Sequence, residues 1–197
     1  MRRRTFDALA SAAGLLLAVV LAIGGGLLMW GHSFVNGQVH SQLAAQKIVF
    51  PTTGNPEFKA LPAADAAAMR VYAGQLMTNG AQAATYADHF IAVHLREMGG
   101  GKTYSQLSLE SLQQPKNTKL AGLVETVFKG TTLRGMLLNA YGFWQMGQIM
   151  LIAGIVAFAG AGLFLLLSLF GFAHLRRAAP ETEIFPKVAT RVSAPAS

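Results

Sequence analysis

The residues nearest to a chemical signature form the run from Gly99 to Thr103, which reads GGGKT. A Gly-Lys-Thr ending is typical of the phosphate-binding loop, whose backbone amides and lysine hold nucleotide phosphates. That loop requires another glycine five positions before Gly101, where this chain has Arg96. The run therefore does not indicate a nucleotide site, and we expect a glycine hinge followed by a helix cap.

Two histidines in the same region, His89 and His94, lie near acidic residues in a way that resembles a metal site. Five positions along an α-helix correspond to about 500°, which leaves the two imidazoles about 140° apart around the axis. A metal-binding pair on one helix needs both rings on the same face. The sequence therefore predicts no metal ligand, catalytic residue or cofactor here. His94 lies on the apolar face and is expected to be a core or helix-contact residue, whereas His89 and Arg96 are candidates for a polar contact.

The elements that position these residues are set by two long uncharged apolar stretches, 9–30 and 149–173. Each exceeds the roughly 20 apolar residues that cross a hydrocarbon layer about 30 Å thick. The sequence predicts an all-α integral membrane protein, with two transmembrane helices and a helical extracytoplasmic domain between them. The predicted segments are a cytoplasmic N-terminus (1–8), the first transmembrane helix (9–30), the extracytoplasmic domain with extensions of both helices (31–148), the second transmembrane helix (149–173) and a cytoplasmic tail (174–197).

Orientation is predicted from the basic residues beside the two stretches, because positive charge close to a span favours the cytoplasmic side. These topology-determining residues are Arg2, Arg3, Arg4, Arg176 and Arg177. We expect a multi-pass plasma-membrane protein with both termini in the cytoplasm. Trp30, Tyr141 and Trp144 are then placed at the outer interface, where amphipathic aromatic rings are favoured.

Small residues recur at regular spacings in both stretches and predict close helix packing, since association in lipid depends on close approach of backbones. The first set repeats every four positions and the second every seven: Gly14, Ala18, Ala22 and Gly26; Gly147, Gly154, Ala161 and Ser168. Two interpretations stay open. The two faces pack on each other within one chain, or one of them contacts another protein or a second copy.

Between the stretches, glycine and proline divide the chain into helices. The first helix is expected to continue to Pro51, followed by a loop over 52–62 and helices over 63–77 and 81–98. Thr103 and Gln106 predict a capping box at the start of a short helix. An amphipathic helix over 120–128 is expected to end at Gly130, before one continuous helix over 132–174.

Composition excludes several function classes. The net charge is +7, but the basic residues flank the apolar stretches, so we expect contact with the lipid bilayer and no nucleic-acid binding. Cysteine is absent, which excludes disulfides and cysteine chemistry. Neither stretch contains an ionisable side chain, and this argues against a proton relay or coupled transporter.

Three segments resemble uncharacterised two-span membrane proteins of actinobacteria. They cover 2–11, 86–106 and 132–149, and read RRRTFDALAS, YADHFIAVHLREMGGGKTYSQ and TLRGMLLNAYGFWQMGQI. The resemblance implies a bacterial plasma membrane and the same topology. It implies no activity, so no functional residue follows from it.

The sequence therefore favours, by elimination, a non-enzymatic interaction or accessory protein of the cell envelope. Its expected partner is another protein or a second copy, bound through the membrane or outer helices. One alternative is an extracytoplasmic ligand-binding or sensor protein, which needs a cavity lined by groups such as Tyr72, Tyr86, His89 and Arg96. A second alternative is an oligomeric two-span channel.

Overall fold

The structure is a computed structural model that describes the backbone of residues 3–177, with side chains from Thr5 onward. The predictions for Arg2 and for the tail 178–197 lie outside the described residues, as do the side chains of Arg3 and Arg4. Helices hold 82% of the described residues, which contain no strand. The chain is therefore all-helical over this range, as the sequence predicts.

Seven α-helices follow one another along the chain. They are α1 (Arg3–Ala45), α2 (Pro56–Lys59), α3 (Ala63–Arg70), α4 (Gly80–Tyr86), α5 (Ala92–Met98), α6 (Tyr104–Gln113) and α7 (Thr118–Arg177), with a π-helical turn at Ala87–Ile91 joining α4 to α5. Helices α1 and α7 are long and apolar enough to cross a membrane. The described chain divides into two compact units. We call Met1–Met29 with Ile152–Ser197 the two-helix unit, and Trp30–Leu151 the central unit.

In the two-helix unit, α1 and α7 run antiparallel with their small residues in contact. Gly14 faces Ser168, Gly171 faces Ser11, and Gly154 faces Met29. The buried positions on both helices are seven apart: Ser11, Ala18 and Gly25 on α1, and Gly154, Ala161 and Ser168 on α7. A seven-residue repeat keeps one seam facing its partner along the pair. Within this unit, Gly154, Ala161 and Ser168 therefore lie at the contact between the two helices.

The four-residue set on α1 is divided by this seam. Gly14 and Ala18 lie at the contact, whereas Ala22 and Gly26 are exposed. Every fourth position drifts around the helix relative to a seam of period seven, so a four-residue repeat leaves the contact after about two turns. The packing role assigned to Ala22 and Gly26 stays a prediction, and it requires a surface from outside the described chain.

The central unit has a single apolar core to which α1, α7 and the short helices contribute. Phe50, Met69, Met77, Ala83 and Ala87 are completely buried in it, together with Val39 and Leu43 of α1 and Leu137 of α7. Phe50 lies at its aromatic centre, with its ring 5.4 Å from Tyr72 and 5.3 Å from Tyr86, measured between centroids. The core fixes α4 and α5 against one side of α1 and α7.

Two local predictions are confirmed in this unit. Residues 80–98 are helical throughout, close to the predicted 81–98, and Thr103 forms the capping box with Gln106 at the start of α6. A second capping box, Asn79 with Gln82, begins α4. Asn79 lies between the two predicted helices, and in the structure it is the N-cap of the second.

Three predicted helix ends are wrong. Helix α1 ends at Ala45 and α3 at Arg70, because the chain at 48–50 pairs antiparallel with 74–77 through backbone hydrogen bonds such as Met77 N to Ile48 O, 2.8 Å. Gly130 is not a C-cap, since α7 continues through it without a break. A Cβ at Gly130 would lie 2.6 Å from Cδ2 of Leu95. That glycine therefore permits close packing of α5 and does not end a helix.

Candidate functional site

The central unit contains an apolar groove between α1 and α7, with a volume of about 530 Å³. One wall comes from the later part of α1 and the chain that follows it, and the other from the middle of α7. The lining residues are Phe34, Val35, Gln38, Val39, Gln42, Leu43, Gln46 and Ile48 on the first wall, and Leu133, Met136, Leu137, Asn139, Ala140 and Phe143 on the second. We refer to this surface as the groove.

The groove is apolar at its floor and carries amides at its rim. Val39, Leu43 and Leu137 are buried, because they also belong to the core. Phe34, Met136 and Phe143 remain 55%, 64% and 58% exposed. No lining residue carries a charge, and the polar ones are Gln38, Gln42, Gln46 and Asn139. An exposed apolar surface of this kind is typical of a binding site.

His32 joins the two groove-forming helices. Its Nδ1 donates to the backbone oxygen of Gly147 at 2.8 Å, and Asn36 Nδ2 donates to Nε2 of the same ring at 3.2 Å. Gly147 is buried there, with its α-carbon facing Val35 and Asn36. Sequence reasoning did not find this contact. The signal that could have been used is the spacing of His32 and Asn36, four apart on one helical face.

The π-helical turn places two successive polar residues, Asp88 and His89, in separate side-chain hydrogen bonds. His89 Nδ1 lies 2.7 Å from Oδ1 of Asp65 on α3, and Arg134 Nη2 of α7 donates to Oδ1 of Asp88 at 2.6 Å. Because these pairs are partly exposed, each is expected to contribute only about 0–1 kcal/mol to stability. Their main effect is to fix the turn against two different helices. Arg96, the other candidate for a polar contact, lies exposed on α5.

None of the four residues proposed to line a ligand cavity lines the groove. Tyr72 and Tyr86 pack against Phe50 in the core, and His89 is paired with Asp65. The groove is instead formed by α1 and α7.

His94 is part-buried, and its Nδ1 donates to the backbone oxygen of Phe90 at 2.7 Å. It therefore satisfies one ring nitrogen within its own helix.

The aromatic residues assigned to a membrane interface occupy three different environments. Trp30 is 68% exposed and stacks on Phe34, with 5.7 Å between ring centroids. Tyr141 is 36% exposed and stacks on Trp144, whose ring is half-buried against Gly80. Trp144 therefore contributes to helix packing.

The interfacial role of all three aromatic residues stays a prediction. The topological role of Arg176 and Arg177, which are exposed at the end of α7, also stays a prediction.

Tyr86 gives a pH-dependent prediction for the core. Burial raises the pKa of its hydroxyl, and the carboxylate of Glu57 raises it further. The neutral phenol is thus favoured in the folded state. Its contribution to stability is complete below the ordinary tyrosine pKa of about 10 and is lost as pH rises through the higher folded pKa. The near-ultraviolet absorbance of the native protein is titrated with pH, and the titration of Tyr86→Phe is subtracted from it. The difference should show a tyrosine that ionises at a higher pH than a free tyrosine amide does. Ionisation at or below the free compound would contradict it.

Comparisons with family models, curated proteins and solved structures find no match for this chain.

Proposed function

We propose that this chain is a membrane-anchored, non-enzymatic interaction or accessory protein of the cell envelope. Its central unit lies outside the plasma membrane, and both termini lie in the cytoplasm. The observation that carries the proposal is the groove, an uncharged apolar surface in a helical unit that is flanked in sequence by two apolar helices. A surface of this kind binds another apolar surface, and the amides at its rim orient what binds.

Membrane insertion is supported by the exposure of the two apolar helices. Only 11% of the most apolar window of α1, and 11% of that of α7, is buried within the chain. A core helix of a water-soluble protein is mostly buried, because exposed apolar surface costs about 25 cal/mol per Å² in water. Lipid is the environment that accommodates both helices as they stand. The basic residues at their outer ends support cytoplasmic termini.

The absence of cysteine from the sequence allows a direct test of topology. Single cysteines at two exposed positions, Thr5→Cys near the start of α1 and Leu112→Cys on α6, are compared for reaction with a membrane-impermeant maleimide. We expect Leu112→Cys to react in intact cells and Thr5→Cys only after lysis, with both chains retained in membranes after alkaline extraction. The reverse labelling pattern would disprove the orientation, and release by alkali would disprove the anchor.

A ligand-binding protein is the second candidate, favoured by one observation. The groove volume of about 530 Å³ falls within the roughly 300–1,000 Å³ of small-molecule sites. Mass spectrometry of the intact protein from mild detergent distinguishes the two. A bound small-molecule mass that disappears when Leu137, on the floor of the groove, is replaced by Phe supports a ligand site. A bound protein supports the interaction function.

A further inference from the structure

A pocket lies between α1 and α7 inside the two-helix unit, where the two helices meet through small residues. It has a volume of about 540 Å³ and is lined by side chains from 7–17 on α1 and from 164–174 on α7. Gly14 and Ser168, which face each other at the contact, form part of its floor. Small residues let the two backbones approach closely, and the larger side chains on either side then enclose a recess. We refer to this recess as the seam pocket.

The walls of the seam pocket are apolar and exposed. Leu17, Leu167 and Phe170 line it and remain 47%, 55% and 71% exposed. The hydroxyl of Ser168 on the floor offers no free donor, because it donates to the backbone oxygen of Phe164 at 2.7 Å. These walls therefore fit a hydrocarbon chain, which needs apolar contact and no hydrogen bonds.

Asp7 and His174 give the seam pocket one polar end. Both line the pocket, Asp7 from the start of α1 and His174 from the end of α7. Oδ2 of Asp7 is buried, and it has no hydrogen-bond partner in the part of the chain that the structure describes. A buried acceptor without a donor costs free energy, and the cost is larger when the group carries a charge. A ligand that brings N–H donors to this end of the pocket removes that cost.

The length of the seam pocket matches one leaflet of a bilayer. Its lining extends over ten residue steps on each helix, from Asp7 to Leu17 and from Phe164 to His174, or about 15 Å. That is half of the roughly 30 Å hydrocarbon thickness. Asp7 and His174 lie just outside the two predicted transmembrane segments, so the polar end is expected at the level of the lipid headgroups. A single phospholipid has the same arrangement, with a polar head above a hydrocarbon chain.

The charges at the polar end select among headgroups. Arg176 and Arg177, which are exposed at the end of α7, attract the phosphate that every phospholipid carries. Asp7 is the one acidic residue among the described lining residues, and its carboxylate repels a headgroup whose net charge is negative. A primary ammonium supplies three N–H donors to such a carboxylate. A zwitterionic headgroup with a phosphate and a primary ammonium therefore satisfies both signs of charge.

We propose that the seam pocket binds a membrane phospholipid whose headgroup carries a primary ammonium, of the phosphatidylethanolamine type. The ammonium donates to Oδ2 of Asp7, and the acyl chain lies along Leu17, Leu167 and Phe170. This inference rests on the proposed membrane anchor and adds a lipid site to it. The basic residues alone predict the opposite preference, for anionic lipid, so the choice of headgroup tests the role of Asp7.

Native mass spectrometry of the full chain tests this preference. The protein is stripped of lipid in mild detergent and incubated with equal amounts of phosphatidylethanolamine and phosphatidylglycerol that have the same acyl chains. We expect about tenfold more retained phosphatidylethanolamine, the size of effect that one hydrogen bond between charged groups gives. Phosphatidylcholine, whose ammonium has no N–H group, should be retained less than phosphatidylethanolamine. Equal retention of these two would exclude the hydrogen bond to Asp7.

Substitutions of Asp7 assign the preference to its carboxylate. Asp7→Asn keeps the size of the side chain and removes its charge, and we expect the preference for phosphatidylethanolamine to be lost. Asp7→Lys should reverse it in favour of phosphatidylglycerol. Glu125→Gln is the matched control, because it removes an exposed carboxylate of the central unit, and it should leave the preference unchanged. Far-ultraviolet circular dichroism shows whether the helices of each variant are intact.

Three further results would overturn the ammonium lipid as the ligand. One is equal retention of phosphatidylethanolamine and phosphatidylglycerol by the unaltered chain, and another is a preference that Asp7→Asn leaves unchanged. The third is a sodium or potassium adduct that Asp7→Asn removes, with no lipid retained. None of these results depends on alkaline extraction or on the labelling of Thr5→Cys. The lipid site can therefore fail while the membrane anchor stands, and release by alkali would disprove the anchor whatever lipid is retained.

Discussion

Replacing Phe50 by alanine is expected to lower the free energy of unfolding by about 3–5 kcal/mol, the range for removing a buried aromatic side chain. Phe50 is completely buried, and its ring contacts those of Tyr72 and Tyr86. Its backbone accepts from Gly74 N at 3.1 Å and donates to Gln75 O at 2.9 Å. Alanine retains both of these hydrogen bonds, so the loss reports the packing of the side chain and the cavity that it leaves.

The measurement is denaturant unfolding of the full chain in detergent, followed by Trp144 fluorescence in a Trp30→Phe background. Phe128→Ala is the matched control. Phe128 is 51% exposed and its main ring contact is Tyr104, 5.3 Å away between centroids, so we expect a loss of only about 1 kcal/mol. Equal losses for the two variants would show that Phe50 is not at the centre of a packed core.

What the sequence predicted best are the features with local causes. The apolar stretches needed only their own length and composition to indicate helices, and α1 and α7 contain them both. The capping box of Thr103 and Gln106 is formed by residues three apart, and it appears where it was predicted. The angle between His89 and His94 also follows from helix geometry alone. Such features do not depend on what the rest of the chain does.

The features that sequence reasoning missed are set by residues far apart in the chain. The ends of α1 and α3 depend on pairing of 48–50 with 74–77, which no local pattern indicates. Helix α7 continues through Gly130, which faces Leu95, 35 positions earlier, and the residue type alone does not distinguish a helix cap from a close contact. The two helices that form the groove are joined by the hydrogen bond between His32 and Gly147, across 115 positions. Tyr72 and Tyr86, which were proposed to line a cavity, instead pack against Phe50 in the core.

Gly80 tests how closely α4 approaches α7, and Gly80→Ala is expected to lower the free energy of unfolding by about 2–3 kcal/mol. A Cβ at this position would overlap Cβ of Trp144 and would lie 2.7 Å from its Cγ and 3.0 Å from Cα of Tyr141. A flexible side-chain end could move away, but Cβ and Cα move only with the backbone. The helices must therefore separate, and the aromatic packing of Trp144 against α4 is lost with them.

Gly122→Ala is the control with the opposite expected sign. Gly122 lies exposed on α7 with nothing within 4 Å of a Cβ, so alanine there gains helix stability of about 0.5–1 kcal/mol without a clash. Both variants are compared by denaturant unfolding, with Trp144 fluorescence as the direct reporter of the α4 contact. If Gly80→Ala lowered the free energy of unfolding without changing Trp144 emission, the destabilisation would arise elsewhere in the central unit and not at the contact of α4 with Trp144. A gain at both glycines would mean that α4 lies farther from α7 than the structure has it.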